Sequence, residues 1–299
     1  MQKINGWLCL YKPRSISSAK FLGWVKKTLS YPKIGHVGTL DPMAEGILPI
    51  AVGEATKLAD LLINAEKTYK FVVKFGAKTL SGDAESDIIE VMPSDISEEE
   101  ILQIIPSFLG QISQTPSKFS AIKINGRRAY DLARKGQEFE MPSRLIDIYS
   151  LNLEFFDKKN QLATFICRCS KGTYIRTLAE DIAFSLNNLG YVIELARLGV
   201  GRFNMSNCIK KPDLHQSNSL LSILEENLLP VDFVLDDILV INVTEDISNR
   251  IRNGQKITFE DKKDGFYAVF FDGVLQAIGN ISENLFKIKR VFNLNHHGG

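Results

Sequence analysis

The sequence predicts an α+β fold, with one larger domain of strands and helices followed by a small β-rich module. Three observations predict it. The segment 68–76, TYKFVVKFG, alternates: Tyr69, Phe71, Val73 and Phe75 point one way and Lys70, Val72 and Lys74 the other, the period of a half-buried strand. Ser97-Glu98-Glu99-Glu100 is a capping box, ahead of Ile101, Leu102, Ile104, Ile105 and Phe108 on the inner face of a helix. Beyond Val231 the chain turns to short strands, and Asp272-Gly273 joins two of them as a hairpin. With Leu229-Pro230 read as the start of a linker, the expected domains are 1–230 and 231–299.

The elements follow in order. Trp7-Leu8-Cys9-Leu10-Tyr11 is a short strand ended by Lys12-Pro13-Arg14, and Ser17 caps a helix whose apolar face is Phe21, Leu22, Trp24 and Val25. Residues 47–52, ILPIAV, form a buried strand with Pro49 near its start. Leu58, Leu61 and Leu62 have helical spacing over 54–64, and 79–86, TLSGDAES, is a polar turn. Strands are expected at 161–169 and 192–200, with Arg197 and Arg202 flanking the second. Between them Thr173 is placed as the cap of a helix through Leu178, Ala179, Ile182 and Leu186. The C-terminal module is expected to hold a helix at 245–253 and strands at 266–271, 274–281 and 285–294, as in a small β-barrel.

The 299 residues carry a net charge of +1, and 44% are hydrophobic and 24% charged, the balance of a globular chain. No apolar run reaches about 20 residues, so no membrane span is expected, and no secretory leader is read at the start. Cys9, Cys167, Cys169 and Cys208 lack metal-ligand spacing and are expected as reduced thiols in a cytoplasmic protein, with no metal. The four histidines, His36, His215, His296 and His297, form no ligand cluster, and the last two sit in a polar tail. A near-neutral total leaves room for nucleic-acid binding through one segregated patch.

The chemistry concentrates in residues 35–53, GHVGTLDPMAEGILPIAVG. Its four glycines and two prolines suit a tight loop, and the buried strand behind it would hold Asp41 at the surface of a site. Asp41-Pro42 has the pattern of a helix N-cap followed by proline at the first helical position, and such a residue is ordinarily a cap or turn for local reasons alone. Residues 114–145 are basic, with Lys118, Lys123, Arg127, Arg128, Arg134, Lys135 and Arg144 interleaved with Phe119, Tyr130 and Phe139. That mixture suits phosphates and stacked bases, and equally a solvated hairpin with a short helix. Ser170-Lys171-Gly172-Thr173, with Lys171 and Arg176 nearby, offers an anion site at a helix start.

Two of these motifs closely resemble a known family. GHVGTLDPMAEGILPIAVGEATK and SKGTYIRTLAEDI, in this order and with Lys12-Pro13, the Tyr69 strand and the Asp83 turn, are similar to the TruB-type tRNA pseudouridine synthases. The resemblance covers nearly the whole chain, and its C-terminal part is similar to the RNA-binding PUA module. It implies a pseudouridine synthase fold: a curved, mostly antiparallel mixed sheet flanked by helices. It implies isomerisation of tRNA uridine 55, in the T-loop, by base flipping, without cofactor. Asp41 is then the catalytic aspartate and Arg176 its partner. Tyr69 stacks on the target base, and Tyr174, Lys12 and Asp83 shape the site. His36, Lys118, Lys123, Arg127, Arg128, Lys171 and Arg202 are the expected RNA contacts, and 114–145 is the insertion that clamps the T-arm. A monomer with no obligate protein partner is expected. Tyr11 stands where members commonly have Asp, and Ser86 where they have Gly. A guide-RNA-dependent synthase and a tRNA-folding factor with secondary catalysis are the alternative readings.

Overall fold

The computed structural model describes residues 4–31, 33–119, 122–124, 126–134, 136–209 and 220–294. His215, His296 and His297 lie outside them.

The chain opens with β1 (Gly6–Lys12), α1 (Ser18–Leu29), β2 (Ile34–His36) and β3 (Glu45–Val52). Ser17 caps α1 as expected, its side chain accepting from the Lys20 N–H, and Phe21, Val25 and Leu29 bury one helical stripe. After a 3-10 turn at Gly53–Leu58 come α2 (Ala59–Asn64), β4 (Lys67–Phe75), β5 (Ala77–Thr79) and β6 (Ile88–Val91). The capping box then opens α3 (Glu98–Ile104), with both of its hydrogen bonds made. Ile101 and Phe108 are buried there, but Leu102 is half exposed rather than on the inner face.

Next are β7 (Gly110–Gln114), β8 (Lys123–Ile124), β9 (Arg127–Arg128), α4 (Ala129–Arg134), β10 (Arg144–Asp157) and β11 (Leu162–Cys169). The chain continues with α5 (Ile175–Ser185), β12 (Gly190–Val200), β13 (Phe203–Asn204) and α6 (Leu220–Glu226).

Nine of these strands form one sheet in the order β1-β3-β12-β4-β11-β10-β7, with β2 on β3 and β13 on β12. Every pair is antiparallel except β3–β12, which meet in parallel at Glu45 and Gly46. Pro49 falls between these two residues and Ile50–Val52, where β3 pairs with β2, so a residue without an N–H sits where the strand changes partner. The alternation of β4 is realised. Phe71, Val73 and Phe75 are buried, and Phe71 stacks on Phe165 of β11 at 5.3 Å. Each such ring contributes about 1.5–3 kcal/mol by leaving water.

The C-terminal region holds β14 (Leu239–Asn242), α7 (Glu245–Arg252), β15 (Ile257–Thr258), β16 (Gly265–Phe271), β17 (Val274–Ser282) and β18 (Leu285–Val291). Its five strands form their own sheet, ordered β14-β16-β17-β18-β15. The Asp272-Gly273 hairpin is present, with φ of 47° and 71° at the two residues. This sheet is fastened to the larger one. Ala268, Leu275, Ile278 and Phe292 share a core with Trp7, Ile47 and Phe203. The Trp7 indole N–H donates to Val231 O at 2.9 Å, and Lys57 Nζ to Val291 O at 2.7 Å.

Candidate active site

Asp41 lies at the turn between β2 and β3, and the turn is held from four directions. The Ala44 N–H donates to Asp41 O at 3.1 Å, and β3 begins at the next residue. No helix follows Pro42, so the expected N-cap role of Asp41 is corrected: it is a turn residue, and proline presets the turn dihedral. Ser18 Oγ clamps Leu40, accepting from its N–H and donating to its carbonyl, both at 2.9 Å. The Ser15 N–H donates to Pro42 O at 2.8 Å. Arg197 Nη2 donates to Gly38 O at 2.6 Å.

The Asp41 carboxylate opens onto a cleft of about 680 Å³, inside the range of about 300–1,000 Å³ usual for ligand sites. Arg176 enters from the first turn of α5. Its Nη2 meets Asp41 Oδ2 at 2.9 Å and its Nη1 meets Asp83 Oδ2 at 3.1 Å. Two carbonyls complete the guanidinium shell, Ser81 O at 2.9 Å and Phe119 O at 3.2 Å. Arg176 is 9% exposed at its side chain and Asp41 45%, so the cation is locked in place and the carboxylate remains open to a substrate. Asp83 is buried, and its other oxygen accepts from the Ser81 hydroxyl at 2.6 Å and the Glu85 N–H at 3.0 Å. The polar turn 79–86 thus folds around Asp83. Ser86 takes part, accepting from the Ser81 N–H at 2.9 Å.

Tyr69 stands half-buried on β4 in the same cleft, and burial pushes its phenol pKa up. Tyr174 forms another wall. Its N–H donates to Gln114 Oε1 at 2.8 Å, its carbonyl accepts from Gln114 Nε2 at 3.1 Å, and the Arg144 guanidinium lies 5.3 Å from its ring centroid. Tyr174, rather than Thr173, is the N-cap residue of α5, without a side-chain capping bond. Thr173 turns back, its hydroxyl donating to Ser170 O at 3.1 Å.

The structure brings Asp41, Arg176, Asp83, Tyr69 and Tyr174 together with Lys171, which lines the cleft while its Nζ donates to Asn64 Oδ1 at 2.6 Å. Lys12 is buried beside the turn. Its Nζ donates to Pro13 O and Ile16 O at 2.8 Å each, and burial pulls its pKa down to about 8. It shapes the 13–16 loop on which Pro42 rests. His36 lines a separate hollow of about 380 Å³ with Lys33 and Thr56, and burial lowers its pKa. Lys118 is exposed, its ammonium over the Phe139 ring at 5.6 Å, and Arg127 is exposed on β9. The side chains of Lys123 and Arg128 lie outside the described ones. Arg202 is away from the cleft. Its Nη1 pairs with Asp236 Oδ1 at 2.5 Å and its guanidinium covers Phe233 at 4.7 Å, at the junction with the C-terminal region. Among the described residues no three His, Cys, Asp or Glu side chains gather as metal ligands.

The sequence assigns no site role to Ser18 or Gln114, and Arg144 only a place among the basic residues of 114–145. Ser18 follows a better cap, and Gln114 and Arg144 face each other on β7 and β10, strands that were not read.

Fold and site define an α+β enzyme with an arginine-held carboxylate at the centre of an open cleft. The fold matches a chain of a Cbf5-Nop10-Gar1 complex with a TM-score of 0.73 and 21% identity, over 96% of this chain and 84% of that one. A chain from an H/ACA RNP bound to a substrate RNA containing 2'-deoxyuridine matches equally, at 0.73 and 20% identity, over 97% and 85%. Residues 26–175 match the TruB family pseudouridylate synthase (N terminal domain). The chain is 49% identical to the tRNA pseudouridine synthase B of Rickettsia bellii (strain OSU 85-389) over 96% of this chain and 98% of that protein. It is also 49% identical to the same-named protein of Rickettsia akari (strain Hartford), over 97% and 99%. The chain belongs to the TruB family of pseudouridylate synthases, and so to the isomerases.

Proposed function

We propose that the protein isomerises uridine 55 in the T-loop of tRNA to pseudouridine. The observation that carries this reading is the Asp41–Arg176 contact at 2.9 Å in the open cleft, in a chain 49% identical to relatives named for tRNA pseudouridine synthesis.

The target nucleotide leaves its stack to reach Asp41, and the unstacking cost of a few kcal/mol is offset by contacts in the pocket. Tyr69 gives the base a flat apolar face. The ionised Asp41 carboxylate meets C1′, either by adding to it or by stabilising its positive charge, while the N1–C1′ bond breaks. Arg176 holds that carboxylate aimed through a charged hydrogen bond. The uracil turns and C5 bonds to C1′, displacing the Asp41 oxygen with its bonding pair where it had added. C5 then loses its proton, the C–H electron pair restores the ring double bond, and N1 gains a proton. Tyr69 Oη relays the C5 proton, taking it as the phenol's own proton passes to water. Atoms and charge balance without a cofactor.

The insertion at 114–145 and Lys171 grip the T-arm phosphates, and His36 contacts RNA from the neighbouring hollow. The region 231–299 acts as a PUA-like RNA-binding module, joined to the catalytic domain at residue 230. The protein works in the cytoplasm as a monomer without guide RNA or protein partner.

Tritium release from 5-tritiated uridine in an unmodified T-arm transcript tests the reading, with wild type and Asp41→Asn side by side. Release by wild type alone, and none by the variant, is expected. A pure protein that is inert until a guide RNA or partner protein is added would overturn the stand-alone reading.

A further inference from the structure

A second buried arginine stands on the far side of the cleft, and nothing in the scheme above uses it. Arg197 on β12 is 1% exposed, and among the described residues no carboxylate pairs with it. Its Nε donates to Ile47 O at 2.8 Å and its Nη2 to Gly38 O at 2.6 Å, carbonyls that flank the Asp41 turn on both sides. Across the β12–β4 pair it lies directly opposite Tyr69, and both residues line the cleft.

Two glycines of the Asp41 loop are shaped to this residue, Gly38 to its side chain and Gly46 to its backbone. A Cβ on Gly38 would stand 3.1 Å from Arg197 Nη1, and one on Gly46 would stand 2.3 Å from the Arg197 carbonyl oxygen. Both glycines have positive φ, 72° and 109°. The loop therefore wraps onto Arg197 at two points that favour glycine, most tightly at Gly46. A buried cation without a counter-ion is costly, and an apolar side chain would fill the same space without that cost. The charge is retained where it holds carbonyls on both sides of the Asp41 turn and lies across from Tyr69.

We propose, on the footing of the function above, that Arg197 is a positioning residue for that reaction: it sets the Asp41 turn and the Tyr69 oxygen in fixed relation and orients Tyr69 Oη for the C5 proton. A guanidinium only donates, so in the proposed bond Tyr69 Oη accepts, which occupies one lone pair and leaves the phenol O–H for the cleft.

A double-mutant cycle in the full-length protein tests this. Single-turnover pseudouridine formation and transcript affinity are measured for wild type, Arg197→Lys, Tyr69→Phe and the double variant. Arg197→Lys is expected to slow the reaction by about tenfold or more with affinity within about twofold, and to add little once Tyr69→Phe is present, as groups acting through each other are non-additive. An equal loss in both backgrounds would make Arg197 a loop brace alone and overturn the proposal, as would an unchanged rate in Arg197→Lys. The wild-type measurement separates the two readings: no pseudouridine from wild type removes the function itself, whereas an active wild type with additive losses removes only this role. Should Arg197→Lys not fold, arginine-15N spectra of wild type and Tyr69→Phe decide the matter. The buried Arg197 guanidinium lines are expected to move when the phenol oxygen is removed, and unmoved lines would refute the pairing.

Discussion

The floor and the rim of the cleft use positive charge in opposite ways. On the floor, Arg176 is buried and both terminal nitrogens of its guanidinium are engaged, by Asp41, Asp83 and two carbonyls. The rim comprises the solvated cations: Lys171, which lines the cleft and holds only an amide oxygen, and Lys118 and Arg127, which stand in solvent on the segment 114–145. A cation fixed by buried partners aims its neighbour and responds little to salt. A solvated cation on a long stem aims nothing, but attracts phosphates from a distance and releases counterions when they arrive. The floor should therefore govern rate and the rim affinity.

The largest break in that comparison is Asp41→Asn. It keeps the turn, none of whose holding bonds uses the Asp41 side chain, and removes the charge that Arg176 holds. We expect the single-turnover rate to fall by at least three orders of magnitude, roughly the loss seen when a main electrostatic group is removed, with transcript affinity near normal. A variant that binds poorly but reacts at the usual rate would merge floor and rim. Asp83→Asn is the intermediate case. Arg176 loses one of two carboxylates and turns less firmly to Asp41, at about 1.5–3 kcal/mol for a charged hydrogen bond, or about 10- to 150-fold in rate. An unaffected rate would show that Asp83 only folds its own turn.

Much of this was legible in the sequence. The Ser17 cap, the capping box at Ser97, the alternation of β4 and the Asp272-Gly273 hairpin are local signals, and each element forms where its signal lies. What stayed hidden depends on distant partners. The 14-residue strand β10 was missed because register shifts near Ile148 and Leu153 break its alternation. Thr173 was given a capping role because a hydroxyl before a helix usually has one, yet Gln114 from another strand holds the helix start. Asp41-Pro42 carried the local pattern of a helix start, and the strand pairing of β3 overrode it. Arg176 was named as the partner of Asp41 through resemblance alone. No spacing in the chain announces that positions 41 and 176 meet.

The rim prediction is weaker in effect and different in kind. Arg127→Ala with Lys171→Ala should leave the single-turnover rate at saturating transcript within about twofold. Affinity should fall several-fold at low salt, and the slope of log K against log salt should flatten by about 0.7–0.9 for each lost phosphate contact. An unchanged slope would place these side chains away from the RNA.

The smallest effect contrasts two residues of one helix. Arg176 and Asp181 both lie on α5, and both are withdrawn from water. Burial of Arg176 is compensated by ion pairs, whereas burial alone pushes the Asp181 carboxyl up to about 6. The folded state therefore binds the Asp181 proton more tightly than the unfolded chain does. Its contribution to stability is complete below about pH 4 and is lost as the pH rises through about 6. Because Asp181 is only partly buried, solvent screening reduces the penalty at neutral pH to about 1 kcal/mol. Asp181→Asn is accordingly expected to stabilise the protein by about 1 kcal/mol in urea unfolding at pH 7 and by nothing at pH 4, with pseudouridine formation unchanged. A variant less stable at pH 7 would mean that the ionised carboxylate has a partner, and that α5 compensates its buried charges at both positions.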